Sequence, residues 1–362
     1  MCMSGPASCS CPWGWLLSWL AGCATGCGHA TSSSTWPPPT PWPKSMEVSE
    51  TRFPTFRLLM LHTRSMFAKY FSSVACLLLG LLLPTLPAEA QRRLRYADWQ
   101  LVFEDDFDTY RDVADMAARS PWQFTPDNYR TLVGNQYEDQ YYDQRNATLR
   151  DGNLYLTARP LAEPLAYNFT LDGRDTTKLL HYESAWITLK PDFPTNPALG
   201  DTARWEGNRG FQYGLFEIRC RFGGGAGTWP AFWLTSGPTE IDVFEGDDNR
   251  KFSNNLHYPS KGPFQRQQAE YEMPSSNDLA ADFHIFSVVW SAQEVTYYLD
   301  RKRLRTVPAS HIPTYPAPAN IIANQAVVSY ADLANWPLDA AGNRYSSLII
   351  DYIKVYKFRP GR

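Results

Sequence analysis

Three carboxyl side chains lie close together in the stretch "TEIDVFE", residues 239–245. Glu240, Asp242 and Glu245 are interspersed with strand-forming residues, which predicts a β-strand. Two carboxyl groups that face one cleft can divide acid/base work, because repulsion between them favours a proton on one group while the other is ionised. The stretch therefore holds the residue types that proton transfer requires.

In a regular strand these three acids cannot share one face. Side chains alternate, so Glu240 and Asp242 point the same way. Glu245, five positions after Glu240, points the other way with Ile241 and Val243. A lone acid should not be buried in such an apolar face. Either the last acid has no part in a site, or the strand is irregular.

The rest of the chain predicts the setting of this strand. Aromatic residues make up 14% of the sequence, and glycines and prolines are scattered along it. Short alternating runs separated by turn residues include "QLVFEDDFD", "GNLYLTARP", "GLFEIRCRF", "FHIFSVVW", "EVTYYLD" and "SLIIDYIKVYKF". These features predict an all-β fold, a sandwich of two antiparallel sheets.

Charge excludes one class of partner. The net charge is −3, and the basic cluster "RKRLR" at 301–305 follows Asp300 in a predicted turn, where solvated charges are common. We therefore expect no nucleic-acid partner, and we expect a monomer.

The first 90 residues differ from the rest in composition. Residues 1–65 hold five of the seven cysteines and the run "SSSTWPPPTPWP", without a periodicity that would bury a core. Residues 66–90 contain Lys69, an apolar run at 74–83 and the small-residue site Ala88-Glu89-Ala90, the three parts of a secretory signal peptide. A membrane anchor is the alternative, but ten apolar residues fall short of the ~20 that a span needs.

These features predict the domain organisation. We expect the true start at Met66, cleavage after Ala90 and an exported domain at 91–362, secreted or periplasmic. Residues 1–65 are then disordered or an artefact of gene calling. The exported part keeps one cysteine, Cys220, so it cannot form an internal disulfide. Its core must supply the stability.

Two tryptophans precede the acidic strand in "GTWPAFWLTSG". Trp229 and Trp233 are an even number of positions apart, so one strand face can hold both. Flat aromatic rings beside carboxyl groups suit a site for sugar rings. Burial of both indoles in the core is the alternative.

The segments "YGLFEIRCRF", "GTWPAFWL", "EIDVFE", "NNLHY" and "LIIDYIKVY" together resemble glycoside hydrolase family 16. The resemblance runs over about residues 98–358 and implies a β-jelly-roll, concanavalin-like sandwich. Its defining pattern is E-x-D-x-x-E. The resemblance implies Glu240 as nucleophile, Asp242 as its assistant and Glu245 as acid/base of a retaining endo-glycosidase.

The resemblance also explains how Glu245 could share one strand face with Glu240 and Asp242. The branch with two residues between the Asp and the last Glu has a β-bulge in this strand, which would return Glu245 to the face of Glu240. Val243 or Phe244 is then the extra residue. Four effective steps of ~3.3 Å separate the two glutamate Cα atoms by ~13 Å. Side chains that lean together could approach the ~5–5.5 Å of a retaining enzyme.

Further residues are assigned by resemblance. His257 matches a family position near the acids, with a core histidine as the alternative, and Trp336 matches a sugar contact. Many members bind a structural calcium opposite the cleft, for which Asp351 and Glu104 are the matching ligands. No cofactor is expected for catalysis.

The substrate expected from the resemblance is a β-linked polysaccharide, first of all β-1,3-glucan. Galactans of the agar or carrageenan type are the alternative, and sulfated ones would require basic side chains such as Arg204, Arg209 or Arg250 in the cleft. A lectin-like sandwich without catalysis and a transglycosylase remain as further alternatives.

Overall fold

Strands make up most of the described chain, as the alternating patterns predict. The computed structural model describes residues 93–193, 209–259, 265–274, 276–308 and 317–359. The predicted signal peptide and the 65 residues before it lie outside these ranges, so both remain predictions. Among the described residues, the structure has no helix that is long and apolar enough to cross a membrane.

The first sheet has ten strands in the described chain. Its path is β15-β14-β13-β8-β17-β5-β6-β3, with β1 on β17 and β4 on β5, and its pairings are antiparallel except for the parallel pair β3 and β6. The bounds are β1 Trp99–Asp105, β3 Gln140–Tyr142, β4 Ala147–Arg150, β5 Asn153–Leu171, β6 Arg174–Ser184, β8 Gly214–Arg221, β13 His284–Trp290, β14 Glu294–Leu299, β15 Lys302–Pro308 and β17 Ser346–Phe358.

The second sheet has seven strands and is antiparallel throughout its described part. Its order is β12-β11-β10-β9-β16-β7-β2, which puts the acidic strand β10 between β11 and β9. The bounds are β2 Trp122–Gln123, β7 Trp186–Leu189, β9 Thr228–Ser236, β10 Thr239–Gly246, β11 Lys251–Tyr258, β12 Gln265–Glu272 and β16 Asn320–Val327. The predicted two-sheet, jelly-roll type of sandwich is confirmed.

The core lies between the two sheets. Alternate residues of β8, Phe216, Ile218 and Cys220, pack there with Phe232 of β9 and Ile241 of β10. Burial of this apolar surface is the main stabilising contribution to the fold. It also fixes the register, because a slip by one residue would turn the apolar side chains outward.

Strand β8 does not have one buried and one exposed face. Its other face is also buried, since Leu215 and Glu217 are at most 1% exposed. Tyr96 and Tyr352 donate hydroxyl hydrogen bonds to the Glu217 carboxylate and cover this face. Residues near both ends of the described chain therefore cover a strand from its middle.

One α-helix, α1 (Val113–Arg119), was not apparent from the strand patterns. Asp112 caps it by accepting a hydrogen bond from the backbone N–H of Asp115 at 2.8 Å. Met116 is its buried contact with the core. The helix is a short connection and contributes no side chain to the site described below.

Candidate active site

Strand β10 contains the predicted bulge. Asp242 and Phe244 lie two positions apart, yet they pair with adjacent residues of β9, so Val243 is the extra residue. The register with β11 shifts over the same interval. Glu245 therefore returns to the face that carries Glu240.

The residues between the acids point into the core. Ile241, Val243 and Phe244 are each at most 1% exposed and belong to the core between the sheets. Phe244 packs against Phe286 of the other sheet with ring centroids 4.4 Å apart. The bulge thus satisfies both requirements of the sequence, because the apolar residues are buried while the acids line the outer face.

At the start of β10, two acids and a histidine form one group. His257 pairs directly with Glu240 across β10 and β11. Its Nε2 lies 3.3 Å from Oδ2 of Asp242 and 3.7 Å from Oε1 of Glu240. One polar atom from each of the three lies within 4.8 Å of the others. The three groups are therefore close enough for their charges to act strongly on one another.

Two donors hold Glu245 at the other end of the strand. Trp229 donates from Nε1 to Oε1 of Glu245 at 2.9 Å. Asn255 donates from Nδ2 to Oε2 of the same carboxylate. Both oxygens of Glu245 thus have a protein donor, whereas Glu240 lies near an acid and a histidine. The two glutamates occupy different environments.

The electrostatics of the site follow from burial. Burial, with repulsion from Asp242, raises the pKa of Glu240 to about 8. Burial, with repulsion from Glu245, raises the pKa of Asp242 well above its usual range. Burial also raises the pKa of Glu245, while His257 and the Trp229 N–H act in the opposite direction. Three carboxyl groups this close cannot all be ionised at neutral pH.

Burial and repulsion from Glu245 together favour the protonated form of Asp242, because both raise its pKa. A neutral Asp242 no longer repels the charge of Glu240, which allows Glu240 to ionise at a lower pH than it would beside an anion. The pair then holds one proton and one negative charge. This division leaves Glu240 free to act as a carboxylate.

Trp233 lies on the same face as the acids, directly across from Asp242 in β9. Its indole is half-buried, and Nε1 donates to Oδ1 of Asn324 at 2.8 Å. Trp186 packs against it edge-on, with centroids 5.5 Å apart. Trp229 and Trp233 thus both line the cleft face and keep part of each ring exposed, as a sugar platform requires.

The assignment of Trp336 as a sugar contact is wrong. Its side chain is only 1% exposed, with its ring stacked on Tyr182 at 5.7 Å. Its Nε1 donates to the carbonyl oxygen of Ala226 at 3.0 Å. Trp336 therefore packs beneath the loop before β9, where a sugar ring cannot stack on it.

The two predicted calcium ligands do not fit a shared metal site. Asp351 forms an ion pair with Arg219. Glu104 lies on β1 opposite Lys354, whose Nζ is 2.7 Å from Oε1 of the carboxylate. Each acid therefore forms an ion pair with a basic side chain, Asp351 with Arg219 and Glu104 with Lys354.

Two of the three arginines proposed for a sulfated substrate are already paired. Arg209 is 3% exposed and binds both carboxylate oxygens of Asp127, at 2.9 and 3.0 Å. Arg250 lies 3.2 Å from Glu272. Arg204 falls outside the described residues. A cation on the cleft face among the described residues is Arg266 of β12, which is exposed and lies opposite His257 in the register.

Asn255, Asn324 and Arg266 were missed by the sequence analysis. Asn255 could have been found from the alternation of side chains along a strand, since it lies two positions before His257 and so shares its face. Asn324 and Arg266 carry no such signal, because their neighbours on the cleft face come from strands distant in sequence.

Comparison with known proteins agrees with this geometry. The family model described as Glycosyl hydrolases family 16 matches residues 165–354. The chain is 27% identical over 273 residues to the endo-1,3-1,4-beta-glycanase ExsH of Rhizobium meliloti, covering 70% of this chain and 51% of that protein. It is 24% identical to the glucan endo-1,3-beta-glucosidase A1 of Niallia circulans, covering 72% of this chain and 38% of the relative.

A solved structure resembles the fold as well. The laminarinase catalytic domain from Thermotoga maritima aligns with a TM-score of 0.52 and 26% identity, covering 72% of this chain and 99% of that domain. The chain spans about half the length, or less, of the two curated relatives above. The family model covers more than half of the chain, including the bulged strand with its three acids, and this chain therefore belongs to glycosyl hydrolase family 16.

Proposed function

We propose that the protein is an endo-acting, retaining glycoside hydrolase whose substrate is β-1,3-glucan. The observation that carries the proposal is the bulge at Val243, which brings Glu240 and Glu245 to one cleft face in different environments. A retaining enzyme needs this division, with one carboxylate to attack and one carboxylic acid to protonate. The named activities of the two curated relatives support the choice of a glucan.

In the first step, Glu240 acts as the nucleophile. Its ionised carboxylate attacks the anomeric carbon of the β-linked sugar, and the bond from that carbon to the glycosidic oxygen breaks. Glu245 donates its proton to the departing oxygen, so no free alkoxide forms. The product is an α-glycosyl ester on Glu240 and a shortened glucan with a new hydroxyl group.

In the second step, Glu245 acts as the base. Its carboxylate takes a proton from a water molecule, whose oxygen attacks the anomeric carbon and releases Glu240. The Trp229 and Asn255 donors stabilise the ionised form of Glu245 that this step requires. Two inversions restore the β configuration.

Asp242 and His257 prepare Glu240 for both steps. A proton on Asp242 removes the repulsion that would oppose ionisation of Glu240, and it can be shared with the ester oxygen as Glu240 leaves. His257 faces both acids, with its Nε2 3.7 Å from Glu240 and 3.3 Å from Asp242. Neither residue forms a bond to the sugar in this scheme.

The paired arginines favour a neutral substrate over a sulfated galactan. Arg209 and Arg250 already bind acidic side chains, so neither is a free partner for a sulfate group. Arg266 lies beside an excess of carboxyl groups, which would repel an anionic sugar. A lectin-like role gives no reason for three acids on one cleft face.

A polysaccharide panel with detection of new reducing ends tests the proposal. Laminarin, mixed-linkage glucan, agarose, porphyran and κ-carrageenan are compared at equal mass. We expect a rapid rise of reducing ends on laminarin, with oligosaccharides of several lengths as early products. Transfer to added acceptor sugars instead of water would identify a transglycosylase. Activity on a galactan alone would contradict the assigned substrate.

We also propose that the domain acts outside the cytoplasm as a monomer. The composition of residues 66–90 supports export, with cleavage after Ala90. A polymeric glucan is itself an extracellular substrate. The intact mass of the exported product tests the cleavage site, and a mature N-terminus upstream of Met66 would contradict it.

A further inference from the structure

The bulge in β10 lies directly opposite an asparagine of β11. In the register between these strands, Asp242 pairs with Asn255 and Glu245 pairs with Ser253. Two residues of β10 therefore face a single residue of β11, which is Asn254. Because two residues oppose one in a β-bulge, Asn254 occupies the position at which the regular pairing of the two strands is lost.

The side chain of Asn254 points into the core and binds the bulge. It is 1% exposed and lies on the face of β11 that carries the core residues Phe252 and Leu256. Its Nδ2 donates to the backbone carbonyl oxygen of Val243, the extra residue of the bulge. Val243 has no paired residue in the described register of either neighbouring strand, so this bond compensates for a pairing that the bulge removes.

The second polar atom of this amide shows which interaction matters. Oδ1 of Asn254 has no hydrogen-bond partner among the described residues. Burial of an unpaired acceptor is unfavourable. The bond from Nδ2 to Val243 is therefore the interaction that favours an asparagine over an apolar residue at this position.

Two side chains of the first sheet bind the same part of β11. Tyr297 of β14 is fully buried and donates its hydroxyl hydrogen bond to the carbonyl oxygen of Asn255 at 2.7 Å. Arg305 of β15 donates to the carbonyl oxygens of Asn254 and Gln267, at 2.9 and 3.0 Å. Its guanidinium also lies over the Tyr297 ring, 4.9 Å from the centroid. The backbone of β11 is thus held in place where it faces the bulge.

The residues on either side of Asn254 contact the proposed acid/base. Ser253 pairs with Glu245 across the two strands, and Asn255 donates from Nδ2 to Oε2 of Glu245. Nδ2 of Asn255 also donates to Oγ of Ser253 at 3.1 Å. This part of β11 therefore holds the bulge through its core-facing residue and Glu245 through its two cleft-facing residues. A movement of the bulge relative to β11 would displace Glu245 in the cleft.

We propose that Asn254 is a positioning residue, supported by Tyr297, that fixes the bulge through the Val243 carbonyl oxygen and so sets the position of Glu245 for proton transfer. The proposal rests on the assignment of Glu245 as the acid/base. Without the Nδ2 donor, the buried Val243 carbonyl group loses this partner, and the bulged backbone gains freedom to shift. A displacement of about 1 Å at a reacting group can cost about a hundredfold in rate. Asn254 does not touch the sugar, because its side chain lies on the core face of the sheet.

Asn254→Ala tests the proposal by removing the donor. The readout is the ratio of kcat/KM for laminarin to kcat/KM for an aryl β-glycoside whose phenol leaves without a proton. In the first step laminarin needs the proton of Glu245 and the aryl glycoside does not, so a displaced Glu245 lowers the ratio. We expect a fall of about tenfold.

The matched control is Asn146→Ala. Asn146 is also buried and also donates from Nδ2 to a backbone carbonyl oxygen, that of Ser184, but it does not bind the bulge. The control should keep the wild-type ratio, because a general loosening of the fold lowers kcat/KM for both substrates together.

Azide shows whether Glu245 is the group that has moved. If Glu245 in Asn254→Ala no longer activates water well, azide should accelerate the second step with the aryl glycoside and give a β-glycosyl azide. A folded Asn254→Ala variant with the wild-type ratio, or without acceleration by azide, would overturn the inference.

Tyr297→Phe covers the case in which Asn254→Ala does not fold. It removes the hydroxyl bond to Asn255 and keeps the ring in the core, so the ratio should fall in the same direction by about threefold. An unchanged ratio in folded Tyr297→Phe would contradict the inference. Failure of the proposed function is distinct from these results, because the wild type would then fail to cleave laminarin, or Glu245→Ala would keep the wild-type ratio.

Discussion

Nε1 of Trp229 lies 2.9 Å from Oε1 of Glu245, so an aromatic residue of the cleft is also a hydrogen-bond donor to an acid. The donor belongs to β9 and the acid to β10, and the bulge at Val243 is what allows them to meet. The Trp229 ring, which can stack on a sugar, therefore also influences the pKa of Glu245, the group that would protonate the glycosidic oxygen.

Trp229→Phe should change the pH dependence as well as the rate. The indole N–H favours the ionised form of Glu245, so its loss raises the pKa of Glu245 further above its ordinary value. We expect the alkaline limb of kcat/KM to move to higher pH by about one unit.

Trp233→Phe is the matched comparison. It removes an indole N–H that is bound to Asn324 instead of a catalytic acid. We expect a higher KM for laminarin from weaker contact with the sugar, with the alkaline limb unmoved. A shift of equal size in both variants would show that the Trp229 bond does not act through Glu245.

Glu240→Gln should stabilise the folded protein, and the gain should grow with pH. The pKa of Glu240 is raised from its ordinary 4.5 to about 8 in the folded state, chiefly by burial. Between these values the folded state holds a proton that the unfolded state releases, so the wild type loses stability as the pH rises. Glutamine cannot ionise and does not incur this loss.

Melting temperatures of wild type and Glu240→Gln at pH 4.5 and pH 8 measure the effect. We expect a small difference at pH 4.5 and an advantage of a few degrees for the variant at pH 8. Glu163→Gln, at an exposed position, serves as the control and should follow the wild type. A difference of the same size at both pH values would argue against the raised pKa.

Trp336 is expected to matter for stability and not for substrate contact. Trp336→Ala removes a fully buried ring and should lower the free energy of unfolding by about 3–5 kcal/mol. Measured below its melting temperature, the folded variant should keep a near wild-type KM for laminarin. A large rise in KM without loss of stability would restore Trp336 to the cleft.

Calcium should have little effect through Asp351. The carboxylate already pairs with Arg219, and both side chains are partly exposed, so Asp351→Asn should cost only about 0–1 kcal/mol of stability. Melting curves with EDTA and with added calcium should coincide. A calcium-dependent rise in melting temperature that Asp351→Asn abolishes would show that the metal displaces Arg219.

The sequence predicted the sandwich from local periodicity, whereas the bulge was predicted from the resemblance to the family. Alternation in β8 and β10 identifies the buried face, but the position of Glu245 in that alternation left two alternatives open, an acid outside the site or an irregular strand. The position of Trp336 does not follow in this way. Its burial depends on Tyr182, a residue of β6 that is distant in sequence and meets it only in the folded protein.

The same dependence on residues that are distant in sequence explains why Glu138 was not predicted and why Asp351 was assigned to calcium. Glu138, a further buried acid, precedes a strand of only three residues, too short for a periodic pattern, and its bridge partner Val328 is distant in sequence. Asp351 looked available to a metal because its partner Arg219 lies on β8, more than a hundred positions earlier. Long-range register therefore decides which carboxyl groups are neutralised and which remain in the site.

The anomeric configuration of azide products tests the central assignment most directly. Glu245→Ala, given an aryl β-glycoside with an activated phenol, should still form the ester on Glu240, and azide should then replace the unactivated water to give a β-glycosyl azide. Glu240→Ala forms no ester, so azide should attack once and give the α-glycosyl azide. Proton NMR distinguishes the two anomers. We expect the β-azide from Glu245→Ala and the α-azide from Glu240→Ala, and a β-azide from Glu240→Ala would contradict the assignment of nucleophile and acid.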